Sequence, residues 1–129
     1  MQRTLRLVGL LGAIVVALGA FGAHGLRALI SPEALVTYET GVRYQFYHTL
    51  AIGLLVALSG KSWINDKRLR QAAICFSVGI LLFSGSLYML ALREVHGLSV
   101  GFLGPVTPLG GVSFIAGWAL LFLAPRSYA

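Results

Sequence analysis

The sequence predicts an all-α fold: a polytopic integral membrane protein forming a bundle of four transmembrane helices in one domain, residues 1–129. Apolar residues make up 57% of the chain and charged residues only 11%, whereas soluble domains carry about 25% charged residues. The mean hydropathy is +0.84. Four apolar segments also approach the length that a helix needs to cross a hydrocarbon core of about 30 Å. Segments that span lipid must be helical, because their backbone groups find no water to bond.

The first predicted helix covers residues 7–25 and follows Arg3 and Arg6. A basic start before an apolar run also fits a cleaved signal peptide. We favour a retained helix because the apolar run exceeds the usual signal-peptide core of about 7–15 residues. Small residues at steps of four, such as Gly9 and Ala13, are typical of helices that pack closely in membranes.

The starts of two further helices carry clear signals. Ser31 can cap a helix that has Pro32 at its first position, and Thr107 with Pro108 repeats the pattern. The loop that precedes the second of these starts is rich in glycine yet apolar, so we expect it to fold back onto the outer face of the bundle. The predicted helices after the first cover residues 32–58, 69–92 and 108–124.

Basic residues are unevenly divided between the two sides of the predicted bundle. Because cytoplasmic loops are enriched in Lys and Arg, the distribution places both termini in the cytoplasm. The net charge of +6 lies at the ends of apolar segments, so it indicates contact with the lipid bilayer and predicts no nucleic-acid partner. The cytoplasmic side carries Arg3, Arg6, Lys61, Lys67, Arg68, Arg70 and Arg126, and the other side carries Arg27 and Arg93.

Polar residues cluster in the second predicted helix. Glu39 and Arg43 are four residues apart, acid first, so they can form an ion pair at the outer membrane boundary. On a helical wheel Tyr44 and Gln45 lie within about 60° of His48, which is about 140° from Arg43. The sequence therefore predicts an outer ion pair on one face and an inward polar patch of Tyr44, Gln45 and His48 on another.

Two interpretations of His48 remain open. An ionisable side chain at membrane depth is a functional candidate by default. The other interpretation is a neutral imidazole bonded to a serine or carbonyl of a neighbouring helix, and such interhelical bonds are common. Ser84 and Ser86 are weaker candidates for the same cavity, and His24 for a site at the outer boundary. We predict no metal and no other cofactor, because His24 and His48 differ in depth by roughly 10 Å and further ligands are missing.

Four blocks of sequence, in order along the chain, carry a family resemblance. They are ALGAFGAHGL (17–26), YQFYHTLAI (44–52), LFSGSLYMLAL (82–92) and VTPLGGVSFIAGWALL (106–121). Together they resemble the small bacterial inner-membrane proteins of the YgdD and YwdK type, a family of unknown function with small eukaryotic transmembrane relatives. The resemblance implies four transmembrane helices in the bacterial plasma (inner) membrane. It implies no activity, catalytic residue or cofactor.

The residues favour a non-enzymatic protein. The four acidic residues are scattered over different segments, and no nucleophile stands beside a base. The leading hypothesis is a small structural or accessory membrane protein that acts through helix packing and through association, either as a homo-oligomer or within a larger membrane complex. The alternatives are a small oligomeric permease or channel for a proton, ion or small solute, and a lipid- or quinone-binding protein, each using the patch around His48.

Overall fold

A computed structural model of the chain describes residues 1–126, so the end of the predicted domain, 127–129, lies outside the described residues. The described chain is helical, and its one β-type pairing is an isolated bridge between Ile64 and Pro125. A π-helical turn, Ile80–Ser84, joins α3 to α4, and 3-10 turns precede α2 and α6. The helices are α1 (Gln2–His24), α2 (Pro32–Leu58), α3 (Asp66–Gly79), α4 (Gly85–Ala91), α5 (Arg93–His96) and α6 (Val106–Phe122).

Capping side chains set the starts of two long helices. Ser31 Oγ accepts a hydrogen bond from the Ala34 amide at 3.2 Å, as predicted. Asn65 Oδ1 accepts from the amides of Lys67 and Arg68 at the start of α3. These bonds satisfy amides that have no partner within the helix.

The predicted cap at Thr107 is wrong. Helix α6 begins at Val106, so Thr107 lies inside its first turn. Its hydroxyl bonds to Leu103 O at 3.4 Å and lies 2.6 Å from the hydroxyl of Ser86. A tertiary contact and a 3-10 turn at Gly101–Leu103 therefore replace the cap that the local sequence suggests. Helix α1 likewise starts earlier than the sequence predicts, at Gln2.

Helices α1 and α2 run antiparallel along their length. The Tyr38 hydroxyl donates to Leu18 O at 2.6 Å near one end. Near the other end, a Cβ placed on Gly53 would meet Val8 at 3.6 Å. Gly22 lets the Tyr38 ring pack directly against α1, because a Cβ there would overlap the ring. Close approach through glycine is the usual way that helices associate in lipid.

Aromatic rings facing glycines hold α6 against α3. A Cβ on Gly79 would overlap the ring of Phe114, and a Cβ on Gly117 would overlap the ring of Phe76. Both phenylalanines are buried in a cluster that also contains Ile52 and Leu55 of α2. The centre of the bundle thus lies where α2, α3 and α6 meet.

Within residues 1–126, three helical stretches are long and apolar enough to cross a membrane, judged by length and composition: Gln2–Ala28, Asp66–Ala91 and Gly101–Phe122. Helix α2 has 27 residues but is not one of them, because its central polar residues lower its hydropathy. The all-helical architecture with apolar spans is thus observed. A fourth crossing, by α2, stays a prediction.

A backbone clasp closes the end of the bundle at which α2 passes into α3. The Asn65 amide donates to Ala124 O at 2.9 Å, and the Arg126 amide donates to Trp63 O at 2.9 Å. Arg68 adds a side-chain bond to Leu123 O. Residues 63–65 and 124–126 therefore hold the end of α6 beside the start of α3.

Candidate functional site

The imidazole of His48 lies in the middle of α2, where α3 and α6 approach it. Its Nε2 accepts a hydrogen bond from the indole N–H of Trp118 at 3.1 Å. Its Nδ1 lies 2.7 Å from the carbonyl oxygen of Tyr44. A carbonyl oxygen only accepts, so Nδ1 carries the proton and the ring is neutral. Both ring nitrogens are therefore occupied within the bundle.

Aromatic rings enclose the same imidazole. The Phe114 ring stacks on His48 with centroids 3.5 Å apart and an angle of 9° between the planes. The ring centroids of Phe76 and Trp118 lie 5.4 and 6.0 Å from the centroid of the His48 ring. The His48 side chain is only 5% exposed. The imidazole is neutral and hydrogen-bonded, as in one of the two interpretations, but its partner on a neighbouring helix is an indole and the carbonyl belongs to α2 itself.

Gln45 lies on the buried face of α2, and its side chain links α2 to α1 and α4. Its Nε2 donates to Leu11 O of α1 at 3.3 Å, and its Oε1 accepts from the hydroxyl of Tyr88 at 2.7 Å. The Gln45 backbone carbonyl accepts from the Thr49 hydroxyl at 2.7 Å. Gln45 is 3% exposed, so its amide is used for packing between helices and is removed from lipid.

In the predicted patch of Tyr44, Gln45 and His48, the rings of Tyr44 and His48 lie side by side with centroids 6.1 Å apart, whereas Gln45 has different partners. Gln45 points toward α1 and α4, and His48 toward α6. The Tyr44 side chain is 39% exposed and packs against the Phe83 ring with centroids 4.7 Å apart. No side-chain hydrogen bond joins the three residues to one another within the described chain; the link between Tyr44 and His48 runs through a backbone carbonyl.

Glu39 and Arg43 both lie on the exposed side of α2. The Arg43 guanidinium donates to Thr40 Oγ1 at 3.4 Å. Within residues 1–126 no ion pair joins the carboxylate of Glu39 to this guanidinium, so the predicted direct pair is not observed.

The two candidate serines form bonds between helices. Ser84, at the end of the π-helical turn, donates to Gly41 O of α2 at 2.7 Å and is fully buried. Ser86 donates to Phe83 O at 2.9 Å and contacts the Thr107 hydroxyl of α6. Neither hydroxyl reaches His48, so these serines do not extend a polar patch around it.

The remaining histidines lie near the opposite end of the bundle from the clasp. His24 is exposed at the end of α1. His96 uses both ring nitrogens: Nδ1 accepts from the Leu98 amide and Nε2 donates to Met89 O, each at 2.9 Å. Within residues 1–126, no three His, Cys, Asp or Glu side chains gather as metal ligands do.

Comparison with known proteins places this architecture in a family. Residues 18–111 match a family model described as "Protein of unknown function (DUF423)". The chain belongs to this family. It is 41% identical to a UPF0382 membrane protein of Staphylococcus aureus, with 95% of each chain covered. It is also 41% identical to the UPF0382 membrane protein YwdK of Bacillus subtilis, over 92% of this chain and 95% of the relative.

A third relative is the UPF0382 inner membrane protein YgdD of Escherichia coli, which is 44% identical over 87% of this chain and 80% of its own. The resemblance to the YgdD and YwdK type is thus confirmed. This DUF423 protein is an integral membrane protein with apolar transmembrane helices. No solved structure matches the chain.

Sequence reasoning did not predict the hydrogen bond between Trp118 and the central histidine in this DUF423 protein. Trp118 lies 70 residues from His48 and reads as ordinary packing in an apolar helix. Phe114 and Trp118 are four residues apart, so they lie on one face of α6, and that spacing was the available signal. It shows that the two rings share a face, but only the fold shows that His48 lies against it.

Proposed function

We propose that this DUF423 protein is a multi-pass inner-membrane protein with four crossings and no catalytic step. In this proposal both termini are cytoplasmic, and the protein acts as a structural or accessory subunit through association with itself or with a larger membrane complex. One observation carries the proposal: within the described chain, no buried side-chain nitrogen or oxygen lacks a hydrogen-bond partner.

The hydrogen bonds that the buried polar side chains make within the bundle favour a packing role over transport. A solute path needs polar groups that are free to exchange partners with the solute. Here the amide of Gln45 bonds to Leu11 and Tyr88, the imidazole of His48 bonds to Trp118, and Ser84 bonds to Gly41. These bonds fix the helices to one another. The bundle core is therefore suited to a rigid packing unit.

The contacts of α2 support a fourth crossing. Helix α2 lies antiparallel to α1, an apolar candidate span, from Tyr38 opposite Leu18 to Gly53 opposite Val8. The stretch between Tyr38 and Gly53 is about 22 Å long at about 1.5 Å per residue. A helix that accompanies a span over this distance lies at the same depth. Its polar core residues tolerate that depth because they bond to neighbouring helices.

Labelling in intact cells tests the topology. Leu29 lies in the connection that precedes α2, and Ser62 lies in the connection that follows it. In a Cys75→Ser background, Leu29→Cys should react with a membrane-impermeant maleimide applied outside the inner membrane, whereas Ser62→Cys should react only after the cells are opened. Labelling of both positions from one side would overturn the four-crossing arrangement.

Native mass spectrometry of protein gently extracted from its own membranes tests the accessory role. We expect a stoichiometric neighbour, either a second copy or another membrane protein. A single chain in native extracts, together with crosslinking in intact membranes that traps no neighbour, would contradict association as the mode of action.

A groove near the N-terminus offers a second candidate function, lipid binding. A cavity of about 340 Å³ opens between the start of α1 and residues 70–78 of α3. Leu7, Ile74 and Val78 give it an apolar wall, and Arg70 lies at its rim. An acyl chain fits such a wall, and a guanidinium pairs with a lipid phosphate. Retention of anionic phospholipid that Arg70→Gln abolishes would support this candidate.

A further inference from the structure

One face of α2 points away from the bundle and carries polar groups one turn apart. At 100° per residue, Arg43 lies about 180° from the centre of the buried face of α2. Glu39 and Arg43 are exposed, and Tyr47 is 53% exposed. We call this surface the outward face of α2. It consists of Val36, Glu39, Arg43, Tyr47, Leu50 and Leu54.

Acyl chains are a poor environment for this surface. Arg43 lies about 16 Å and Tyr47 about 22 Å along the helix from Pro32, measured at about 1.5 Å per residue. Both residues therefore lie well inside a helix of 27 residues, away from its ends. Lipid tails provide no hydrogen-bond partner, so charged and polar groups that face them are unfavourable.

The chain itself leaves part of this surface unpaired. Arg43 bonds to Thr40 of its own helix at 3.4 Å. Within residues 1–126, no hydrogen bond or ion pair is found for the carboxylate of Glu39 or the hydroxyl of Tyr47, both on the exposed side of α2. An acceptor and a donor are therefore presented outward, one turn apart on the same face.

We propose that the outward face of α2 docks against the same face of a second copy of this chain. The proposal rests on the fourth membrane crossing by α2 and identifies the association surface. Across a two-fold axis along the membrane normal, Glu39 of each copy faces Arg43 of the other with an axial offset of about 6 Å, because four residues rise about 1.5 Å each. An arginine side chain spans that offset between helices about 8–10 Å apart.

Self-complementarity favours a second copy as the occupant. A two-fold interface uses one surface twice, so every contact between two different residues occurs in two reciprocal copies. A face with one acid and one base supplies both members of each ion pair. Leu50 and Leu54 continue the same stripe and provide apolar contact at greater depth. The two ion pairs then replace exposure of four charges to lipid.

Charge substitutions in two separately tagged full-length copies test the pairing. One copy carries Glu39→Arg and the other carries Arg43→Glu. When one variant is expressed alone with both tags, like charges face each other across the interface. The amount of one tagged copy recovered with the other should therefore fall about tenfold or more relative to wild type. Coexpression restores an acid opposite a base and should return recovery to within about threefold of wild type. An ion pair within one helix cannot produce this rescue, because each variant carries only one sign of charge on the face.

Cysteine crosslinking gives a readout that does not depend on inserting extra charge. In a Cys75→Ser background, Leu50→Cys should form a covalent dimer in native membranes under mild oxidation. The matched control is Leu81→Cys, which lies in another span and is 72% exposed; it should remain monomeric. Equal crosslinking at both positions, or none at Leu50→Cys, would overturn the proposed surface.

The outcomes separate this inference from the accessory role. A partner found by native mass spectrometry without crosslinking at Leu50→Cys would overturn the α2 surface and leave the accessory role standing. A single chain in both experiments would remove both proposals. Loss of bound anionic lipid in Arg43→Glu, again without crosslinking at Leu50→Cys, would assign Arg43 to a lipid phosphate and also overturn the dimer surface.

Discussion

Gly110→Ala should lower the free energy of unfolding by about 3 kcal/mol, near the upper end for overpacked sites. A Cβ on Gly110 would lie 2.7 Å from Phe83 Cβ and 2.8 Å from Phe83 Cα, and it would also overlap the Phe83 amide nitrogen. Backbone atoms cannot rotate away as a side chain does. Helix α6 must therefore move off the π-helical turn, and the contacts around Phe114 weaken with it. Unfolding in mixed detergent micelles, followed by circular dichroism, measures the change.

The adjacent glycine provides a matched control. A Cβ on Gly111 would find its nearest neighbour, Phe83 Cδ2, at 4.0 Å, which is ordinary contact. Alanine is favoured over glycine in a helix by about 1 kcal/mol, so Gly111→Ala should be neutral or slightly stabilising. If the two variants unfold alike, α6 does not approach Phe83 as the structure describes.

His48→Ala should cost about 3 kcal/mol, the range expected when a large buried side chain is truncated. The change removes the ring that stacks on Phe114 and deprives the Trp118 indole of its acceptor. A cavity is left where α2, α3 and α6 meet. The same unfolding assay measures the effect, and loss of the close His48–Trp118 contact should also shift the tryptophan fluorescence spectrum.

Trp118→Phe separates the hydrogen bond from the packing. It keeps an aromatic ring near Phe76 but removes the N–H that His48 accepts. Hydrogen bonds between membrane helices contribute about 0.6 kcal/mol on average and about 1.7 at most, so this variant should be much milder than His48→Ala. If His48→Ala instead leaves stability intact and abolishes proton or ion flux through reconstituted vesicles, the transport alternative is favoured over the packing role.

Local signals in the sequence predicted much of α2. The Ser31 cap and Pro32 place its start, and both act as expected. The wheel also separated Arg43 from His48 correctly, because side-chain direction in a regular helix follows from spacing alone. The structure puts Arg43 on the exposed face and His48 on the buried one. Such predictions need only the spacing of residues within one helix and the number of residues per turn.

Features that depend on several helices were not predictable. The wheel placed Gln45 and His48 about 60° apart and suggested one patch, but their partners lie on different helices and divide it. The π-helical turn Ile80–Ser84 has no signature in its apolar sequence, yet it brings Ser84 against Gly41. Thr107 was predicted to be a cap from the local sequence. Its observed contact is with Ser86, and that contact depends on how α4 and α6 meet. Tertiary contacts decided each of these cases.

The clasp between residues 63–65 and 124–126 can form only after both of its halves have been synthesised. Asn65 and Ala124 are bonded at 2.9 Å but lie far apart in the chain. Residues 63–65 therefore leave the ribosome long before residues 124–126. Until translation delivers α6, the carbonyl of Trp63 and the amide of Asn65 must be satisfied by water. Residues 124–126, which are synthesised later than residues 63–65, thus complete the clasp, and a chain that stops before Ala124 lacks these bonds.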